Sequence, residues 1–477
     1  MQDTSYRYLF PYEKIPHGVN ILIYGAGVLG QEYLKQLLLT GYCKVVGFVD
    51  RNYEKYPTMV VPVYAPEKIR ELNFDYVVLA LRTENWLSEI KRILAEQGVC
   101  NNQIVYALER EEDVSVISES VLRSHGNARA YEISSYPIAL LISGGIGDMV
   151  IQKRFVAEIV KYVPDAKIDI YVVQNESFPK WLYSDCTNVQ NIISDLGIHY
   201  SSFKKLYGLS VSIYGSSFMR VDHLDSARFK TKYPTFAGKM QALQTACEDE
   251  NISLSTPDAI AFHRRTYNGY DCYSWYSYGD IFPIKGRAVS IPSSCDSTPK
   301  VFQGLPIHNY ITINTGNGSC KDGNKIAKAW PHERFEKTAL LFKKKYPHIS
   351  IVQIGTKEEK RLANVDFHFM GESFDIIACI LKNTIFHLDI EGGLVHLATQ
   401  IGTKCIVLWG PTVASFFAYA ENINIRRGNC HDCAGLYRDI NKCARDMEKP
   451  ECMYSITPEI VLEEIDKYME TVDIFVG

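Results

Sequence analysis

The sequence predicts an α/β protein made of three Rossmann-like domains. Short apolar strands alternate with amphipathic helical segments, and this alternation is typical of parallel β-α-β units. The series starts three times, at residues 19–24, 137–143 and 309–316, and each of these strands runs into a turn that contains glycine. A length of 477 residues agrees with about three domains of ordinary size.

The first domain is predicted over residues 1–120. Its strands are expected at 19–24, 43–50, 75–81 and 103–108. The segments between the strands carry apolar residues on one face, which fits helices packed on a parallel sheet. The acidic stretch at 109–120 is interpreted as the exit from this domain.

Two further domains and a C-terminal helical segment are predicted over 121–305, 306–456 and 457–477. The second domain begins with a strand, a glycine turn and a long helix, but the Tyr- and Ser-rich residues from about 200 to 300 give no clear elements. The third domain repeats the alternation of strands and helices. The last helix is expected after Thr457, because threonine suits the N-cap and Pro458 suits the first turn.

Composition and charge favour a protein that handles small molecules or one specific acceptor. The formal net charge is −4 and no basic tract is present, which argues against nucleic-acid binding. The N-terminal residues lack the apolar core of a signal peptide, and no apolar run reaches membrane-spanning length. Nine of the 13 cysteines are scattered, as is usual for reduced thiols. We therefore expect a cytoplasmic protein, with peripheral membrane association and oligomerisation left open.

The first strand leads into the dinucleotide-type motif GAGVLG at residues 25–30. In this motif Gly25 permits the tight turn, Gly27 lets a pyrophosphate approach the backbone, and Gly30 lets helix and strand pack closely. Asp50 ends the next strand, where an acid could bind a ribose hydroxyl. The motif predicts a site for NAD(P) or another nucleotide. The alternative is a Rossmann-like fold that keeps its glycines for packing alone.

Residues 18–110 resemble the small Rossmann-like domains that precede sugar-modifying enzymes such as bacterial sugar acetyltransferases. The resemblance includes the segment PVYAPEKIRELNFDYVVLAL. It implies binding of a nucleotide or nucleotide-sugar more than hydride transfer.

A second glycine turn, GGIGD, places Asp148 at the start of a helix that follows the strand at 137–143. A carboxylate at such a cleft could take the proton of an acceptor hydroxyl as that hydroxyl attacks a sugar carbon. Aspartate is also a preferred capping residue at helix starts. The spacing alone leaves both interpretations open.

The third series carries residues suited to a nucleotide diphosphate. Lys328 precedes a helix that Pro331 can begin, so its ammonium can meet a diphosphate near the helix N-terminus. The candidate donor-binding residues are Thr315, Gly316, Lys328, Gly355, Glu391, Gly392, Gly393 and His396. Glu391 offers a carboxylate to sugar or ribose hydroxyls, and His396 is either part of this loop or a packed histidine.

Residues 137–456 resemble glycosyltransferase family 9, the bacterial heptosyltransferases. The matching motifs are GGIGD, KAWP followed by HERF, EGGLVHLATQIG, VLWGPT and the cysteine segment that ends in CMYSITPEIV, and they occur in the order of the family. The resemblance implies a GT-B architecture, in which an acceptor lobe at 121–305 faces a donor lobe at 306–456. In the family the C-terminal helix crosses back to the acceptor lobe.

The resemblance implies inverting sugar transfer from a nucleotide-sugar, typically ADP-heptose, without a metal at the reaction centre. It makes Asp148 the general base and Lys328 the diphosphate contact, with Glu391, Gly392, Gly393 and His396 as the donor loop. The usual loop of the family reads Asp-Thr/Ser-Gly where this chain has Glu-Gly-Gly. The acceptor would be a cell-surface glycan precursor or a protein.

Four cysteines lie within 23 residues near the C-terminus, at Cys430, Cys433, Cys443 and Cys452. Four thiolates can hold zinc or iron tetrahedrally, and a Cys-x2-Cys pair is typical of such sites. Similar cysteines in relatives of the family include an iron site in some autotransporter heptosyltransferases. The sequence therefore predicts a structural zinc or iron site, with ordinary loop thiols as the alternative.

Aromatic residues crowd the stretch from 267 to 278, where packing explains them more simply than sugar stacking. The sequence as a whole favours a glycosyltransferase. Two rivals are an NAD-dependent sugar-nucleotide oxidoreductase centred on the first glycine motif and a non-catalytic nucleotide-sugar-binding protein.

Overall fold

The structure is a computed structural model. It describes residues 10–57, 59–81, 84–106, 136–173, 176–194, 200–201, 204–216, 218–253, 257–292, 299–316, 327–434 and 442–472. The acidic stretch 109–120 and the boundary predicted after residue 120 lie outside these residues. The chain forms two compact units. The first comprises Met1–Leu141, Ala166–Gln174 and Ile193–Ser210, and the second comprises Ile142–Asp165, Asn175–Ile192 and Val211–Gly477.

The N-terminal residues form a parallel five-stranded sheet. Its strands are β1 (Asn20–Tyr24), β2 (Lys44–Val49), β3 (Val63–Tyr64), β4 (Tyr76–Leu79) and β5 (Ile104–Tyr106), with helices α1 (Val28–Thr40) and α2 (Leu87–Glu96). The strand order is β3-β2-β1-β4-β5, and each neighbouring pair is parallel. Four strands lie where the sequence predicts them. The strand β3 was missed because it is only two residues long.

Strand β1 is the centre of this sheet and is buried on both faces. Ile21 and Ile23 belong to one core cluster, whereas Leu22 and Tyr24 belong to another on the opposite face. A parallel strand covered on both faces needs apolar residues at its buried positions, which explains the run ILIY after the partly buried Asn20.

A second sheet has the strand order β10-β9-β6-β7-β8. Its strands are β6 (Tyr136–Ser143), β7 (Ala166–Val172), β8 (Val189–Ser194), β9 (Leu209–Tyr214) and β10 (Phe218–Leu224). The helices of this region are α3 (Ile146–Tyr162), α4 (Ser177–Leu182), α5 (Ser226–Lys230), α6 (Pro234–Ser253) and α7 (Pro257–Tyr267).

Strand β9 shows why no clear elements are predicted between residues 200 and 300. Its sequence LSVSIY alternates serine with apolar residues, which is the pattern of a half-exposed strand. In the structure Ser210 and Ser212 are both fully buried. The hydroxyl of Ser210 donates to the carbonyl of Lys204, and this bond makes burial of that polar group tolerable.

The third sheet has six strands in the order β13-β12-β11-β14-β15-β16. They are β11 (Tyr310–Ile313), β12 (Ser350–Gly355), β13 (Phe367–Met370), β14 (His387–Ile390), β15 (Cys405–Leu408) and β16 (Ile423–Ile425). The helices are α8 (His332–Lys345), α9 (Phe374–Lys382), α10 (Gly393–Ile401), α11 (Ala414–Phe417), α12 (Glu451–Tyr454) and α13 (Pro458–Met469). Every neighbouring pair of strands is parallel.

The strand order of the third sheet is that of a doubly wound nucleotide-binding fold. The chain starts in the middle at β11, winds outward to β13, and then returns to β14 on the other side of β11. Ligands of such sheets bind in the crevice between the two central strands, at their carboxyl ends. The sheet therefore directs attention to the residues that follow β11 and β14.

The C-terminal helix α13 packs on the same lobe as the third sheet. Thr457 caps it by accepting the Ile460 N–H, as predicted. Its buried residues Val461 and Ile465 belong to the core cluster that contains Phe335 of α8 and strands β11, β12 and β14. The described part of this helix therefore covers the third sheet, and its return to the acceptor lobe stays a prediction. The buried apolar residues of the helix make this contact.

Among the described residues, no helix combines the length and apolar character needed to cross a membrane.

The second and third glycines of the first motif, Gly27 and Gly30, have different surroundings. A Cβ at Gly30 would lie 1.9 Å from the carbonyl oxygen of Gly25, whereas a Cβ at Gly27 would meet no heavy atom within 4 Å. We expect Gly30→Ala to destabilise this sheet by about 1–3 kcal/mol, because helix α1 must move away from β1. Gly27→Ala should leave stability unchanged or slightly higher. Hydrogen exchange of residues 19–24, measured by mass spectrometry, reports the difference. Equal exchange in both variants would contradict the packing role of Gly30.

Candidate functional site

The crevice between β11 and β14 is lined by the residues that follow these strands. Gly316 has a φ of +64°, and a Cβ there would lie 2.2 Å from Cγ1 of Ile390. Only glycine therefore lets the chain after β11 pass this close to the end of β14. Glu391 follows Ile390 directly, so the predicted donor-binding residues Gly316 and Glu391 come together at the switch point of the sheet.

Glu391 is tied to a lysine and a threonine. Lys328 Nζ lies 3.3 Å from Oε2 of Glu391 and 3.3 Å from its carbonyl oxygen. The hydroxyl of Thr412 donates to the same Oε2 at 2.9 Å. The negative charge of Glu391 raises the pKa of Lys328. Burial works against ionisation of Glu391, but the positive charge of Lys328 holds its pKa below the ordinary value. Both groups are therefore charged at neutral pH.

Asp148 stands at the first turn of helix α3 with both carboxylate oxygens hydrogen-bonded. Its Oδ2 accepts the Gly145 N–H at 2.9 Å, and its Oδ1 accepts the Ser216 hydroxyl at 3.0 Å. Burial raises the pKa of Asp148 above its ordinary value, while these two bonds oppose the shift. Asp148 therefore does cap the start of the helix, which is one of the two interpretations that the sequence left open. Each of its carboxylate oxygens still has a lone pair that can accept a proton.

The first turns of helices α3 and α10 meet at glycines. A Cβ at Gly147 would lie 2.4 Å from Cδ2 of His396, and a Cβ at Gly393 would lie 2.8 Å from Cβ of Ile146. Neither helix could approach the other with a side chain at these two positions. The contact brings Asp148 near the crevice, where its pKa responds to the charges of Glu391 and Lys328. The carboxylate of Asp148 and the ammonium of Lys328 therefore lie at the same site.

His396 is a packed residue within this contact. It is 4% exposed, and its Nδ1 lies 2.7 Å from the hydroxyl of Tyr419. Burial lowers the pKa of His396 to about 4, so the ring is neutral at physiological pH. The contacts match the packed-histidine alternative, and they place the ring where it fixes the spacing of the two helices.

Helix α10 starts without a side-chain cap, because its N-cap residue is Gly392. The first N–H groups of a helix lack partners within the helix and carry the positive end of its dipole. Such a helix start suits a phosphate. The contact of Gly392 and Lys328 with a diphosphate at the end of β14 stays a prediction.

A second cluster surrounds Glu359, a residue that the sequence analysis missed. Its carboxylate accepts hydrogen bonds from the side chains of Asn314 and Thr315, at 3.2 and 3.3 Å, and from the Thr356 N–H at 2.9 Å. A Cβ at Gly355 would lie 2.8 Å from its Oε2. Burial raises the pKa of this carboxyl. The sequence feature that could have identified Glu359 is its position four residues after Gly355, the last residue of β12.

The glycine motif of the first sheet also lies at a switch point, since Gly25 follows β1 and packs against Ala80 after β4. The carboxylate of Asp50 accepts the Ala26 N–H at 2.9 Å and the Asn52 N–H at 2.8 Å. Asp50 therefore fixes the turns after β1 and β2. Its predicted contact with a ribose remains a prediction, as does the nucleotide itself.

The four C-terminal cysteines are neighbours in space. Burial raises the pKa values of Cys433 and Cys452, and nearby thiols add to both shifts. The donor set suits zinc or iron in kind. Within the described part of the chain, however, no three His, Cys, Asp or Glu side chains are close enough together to hold a metal ion. A metal would require the thiols to converge further.

The remaining cysteines are mostly free thiols. Ten of the described cysteines, counting the C-terminal four, are free, whereas Cys379 forms a disulfide. The expectation of reduced thiols is therefore not met at Cys379.

The aromatic stretch is divided between core and surface. Tyr273, Trp275 and Tyr276 are at most 2% exposed, whereas Tyr267 is 91% exposed. Packing, the simpler interpretation, accounts for the three buried rings.

Gly147 offers a test of the helix contact. Alanine in place of a helical glycine usually stabilises a helix by about 1 kcal/mol. At Gly147 the added methyl would collide with His396, so Gly147→Ala should destabilise the fold by about 1–3 kcal/mol. Gly238→Ala in α6 is the matched control, because a Cβ there meets no heavy atom within 4 Å. Urea unfolding of both variants measures the difference, and a Gly147→Ala protein as stable as the control would contradict the contact.

Comparisons with known proteins give one family model and several solved structures. The family model described as C2185-like, N-terminal, matches residues 18–105. A search of curated proteins finds no match.

Three solved structures are similar to the chain over most of its length. A family 9 glycosyl transferase from Veillonella parvula DSM 2008 has 11% identity and a TM-score of 0.48, covering 71% of this chain and 98% of its own. The iron-containing dodecameric glycosyltransferase TibC from enterotoxigenic E. coli H10407 has 11% identity and a TM-score of 0.49, covering 71% and 77%. ADP-heptose LPS heptosyltransferase II from E. coli has 16% identity and a TM-score of 0.43, covering 70% and 99%.

Proposed function

We propose that the protein is an inverting glycosyltransferase that moves a sugar from a nucleotide-sugar to an acceptor hydroxyl. The observation that carries this proposal is the contact between the first turns of α3 and α10. It brings a partly buried carboxylate, Asp148, to the same crevice as Lys328, Glu391 and an uncapped helix start. A base and a diphosphate-binding end are the two parts that direct sugar transfer needs.

The acceptor hydroxyl attacks the anomeric carbon of the donor in this scheme. Asp148 takes the hydroxyl proton as the new carbon–oxygen bond forms, and a raised pKa makes this carboxylate a stronger base. The bond between the anomeric carbon and the phosphate oxygen breaks, and the nucleoside diphosphate leaves with the electron pair. Attack from the opposite side of the sugar inverts the anomeric configuration.

Lys328 and the start of α10 stabilise the leaving diphosphate. An ammonium and oriented N–H groups that are already in place offset the developing negative charge without rearrangement. Glu391 accepts from Lys328 and Thr412 and so fixes the ammonium at the crevice. The carboxylate of Glu359, which is held by Asn314 and Thr315, is suited to receive ribose hydroxyls of the donor.

The donor class follows from the resemblance to family 9, which favours an ADP-linked sugar with heptose as a candidate. The acceptor is a cell-surface glycan precursor or a protein. We propose a cytoplasmic location, as the sequence predicts. A nucleotide at Gly25, Gly27 and Gly30 of the first domain is a separate part of the proposal.

Release of free nucleotide from ADP-, UDP-, GDP- and CDP-sugars tests the proposal. Wild-type protein should release one nucleotide class, and Asp148→Asn should lower the rate by about 10²–10⁴-fold because the base is lost. Lys328→Ala should lower it by about 10²-fold or more because the diphosphate loses its cation. Lys337→Ala is the control, since this lysine pairs with Glu459 on the surface. Neither turnover nor binding of any donor by the wild type would overturn the proposal.

Thermal unfolding separates loss of chemistry from loss of folding in Asp148→Asn. A carboxyl whose pKa is raised in the folded state stabilises the fold most at pH values below its unfolded pKa, and this stabilisation is lost as pH rises through the folded pKa. The neutral amide should therefore leave the protein as stable as wild type, or more stable, at pH 7. A lower melting temperature at that pH would assign the loss of activity to unfolding. Binding of a donor without turnover would favour the non-catalytic rival.

We propose in addition that Cys430, Cys433, Cys443 and Cys452 bind zinc or iron in a structural role. The support is the donor set, the Cys-x2-Cys spacing and the proximity of the thiols. Elemental analysis of purified protein should give about one metal ion per chain. The double variant Cys430→Ser with Cys433→Ser should lose it, whereas Cys100→Ser, at an exposed thiol elsewhere, should keep it. Metal-free wild type after reconstitution with either ion would contradict the proposal.

A further inference from the structure

The oxygen Oδ1 of Asp148 is held by a residue outside the sequence motifs. Ser216 lies in the turn between β9 and β10 and is 2% exposed. Its hydroxyl donates to Asp148 Oδ1 at 3.0 Å. The preceding Gly215 has a φ of +54°, and a Cβ there would approach Oδ1 to 3.6 Å, so the turn packs directly against the carboxylate.

The turn at residues 215–216 is anchored by three side chains. Gln152 of α3 donates to the carbonyls of both Ser143 and Gly215, at 3.0 Å each. Tyr276 donates to the same Gly215 carbonyl at 3.4 Å. Arg265 of α7 donates to the carbonyl of Ser216 at 2.8 Å. These bonds fix the backbone that carries the serine hydroxyl.

Arg265 is itself held from two sides. Its guanidinium carbon lies 3.7 Å from the centre of the Trp275 ring. Its second arm reaches the carboxylate of Glu250 at 3.3 Å. The Arg265 side chain is 4% exposed and its guanidinium is rigid and planar, so each contact of the guanidinium restricts the others. Trp275 and Tyr276 come from the aromatic stretch whose role the sequence left to packing.

We propose that Ser216 is a positioning residue that, held in place by Arg265, keeps the Asp148 carboxylate oriented and available as the base. This inference rests on the proposed function. Ser216 does not touch substrate in this scheme. It acts because a hydrogen bond to an ionised carboxylate favours the charged form and fixes its plane.

Several charged or titratable groups face Asp148 from the elements around it. They are Lys328, Glu391, Cys272 and Tyr276, with Arg265 behind the 215–216 turn and the neutral His396 on α10. Removal of the Ser216 hydroxyl removes one hydrogen bond to Tyr276 and leaves the charged groups Lys328, Glu391 and Arg265 in place. Its effect on the titration of Asp148 can therefore be separated from theirs.

The pH dependence of kcat/KM for nucleotide release tests the proposal. The base works deprotonated, so activity falls as pH drops through the pKa of Asp148. Ser216→Ala should move the pH of half-maximal kcat/KM upward by roughly one unit, because the charged form loses a hydrogen bond. Arg265→Lys should move the pH of half-maximal kcat/KM in the same direction. A single ammonium cannot bond the Ser216 carbonyl and the Glu250 carboxylate at once as the planar guanidinium does.

Ser212→Ala is the matched control. Ser212 is fully buried on β9, and its hydroxyl has no hydrogen-bond partner among the residues that the structure describes. This variant should keep the wild-type pH profile. An unmoved profile in Ser216→Ala, or an equal shift in Ser212→Ala, would overturn the positioning role.

A stability measurement distinguishes failure of this inference from failure of the proposed function. The melting temperature of Ser216→Ala should fall further below wild type as pH rises from 4 to 7, because the lost bond stabilises the ionised carboxylate. In an Asp148→Asn background this dependence on pH should disappear. These results hold even if no donor is turned over, which would overturn the proposed function alone. A difference in melting temperature that does not change with pH would contradict the inference.

Discussion

The contact between the first turns of α3 and α10 is the constraint on which the candidate site depends. Two glycines permit it, since Gly147 receives the His396 ring and Gly393 receives Ile146. Protein interiors are packed too tightly for an added methyl to be absorbed at distances of 2.4 and 2.8 Å. The glycines of the two motifs therefore serve packing between helices, in addition to the phosphate contact proposed for them. The contact places Asp148 where its pKa responds to the charges of Glu391 and Lys328.

The two carboxylates at the crevice have different partners and pKa values shifted in opposite directions. Glu391 is paired with Lys328 and Thr412, which keeps its pKa below the ordinary value. Asp148 has hydrogen bonds but no ion pair within the described part of the chain, and burial raises its pKa. Two acids in one site thus differ in basicity because their partners differ, and such a separation is typical of catalytic sites. The neutral His396 contributes packing and adds no charge to the crevice.

The first and third sheets have the same order of strands around their central strand. In both sheets a glycine that follows the central strand has a positive φ and packs against the end of the neighbouring strand at the switch point. Gly25 packs against Ala80, and Gly316 packs against Ile390. The acids that follow have different surroundings. Asp50 is engaged by two backbone N–H groups, whereas Glu391 is engaged by side chains that could themselves contact a ligand. The same fold therefore supports a turn in one domain and a charged crevice in the other.

The sequence by itself determined the α/β class, most strands of the first and third sheets, the cap of the C-terminal helix and the residues of the GGIGD and EGGLVH motifs. These features depend on local patterns of apolar residues, glycines and caps, which neighbouring residues specify. Contacts between segments that are distant in the sequence cannot be predicted from such local patterns. Ser216, Arg265 and Glu359 become part of the site only because distant segments meet there. Strand β9 could not be recognised in the sequence because its serines are buried. The surface on which α13 packs depends on which apolar partner its own apolar face meets in the fold. Long-range packing sets these contacts, and it brings together residues more than 60 positions apart, such as Asp148 and Ser216.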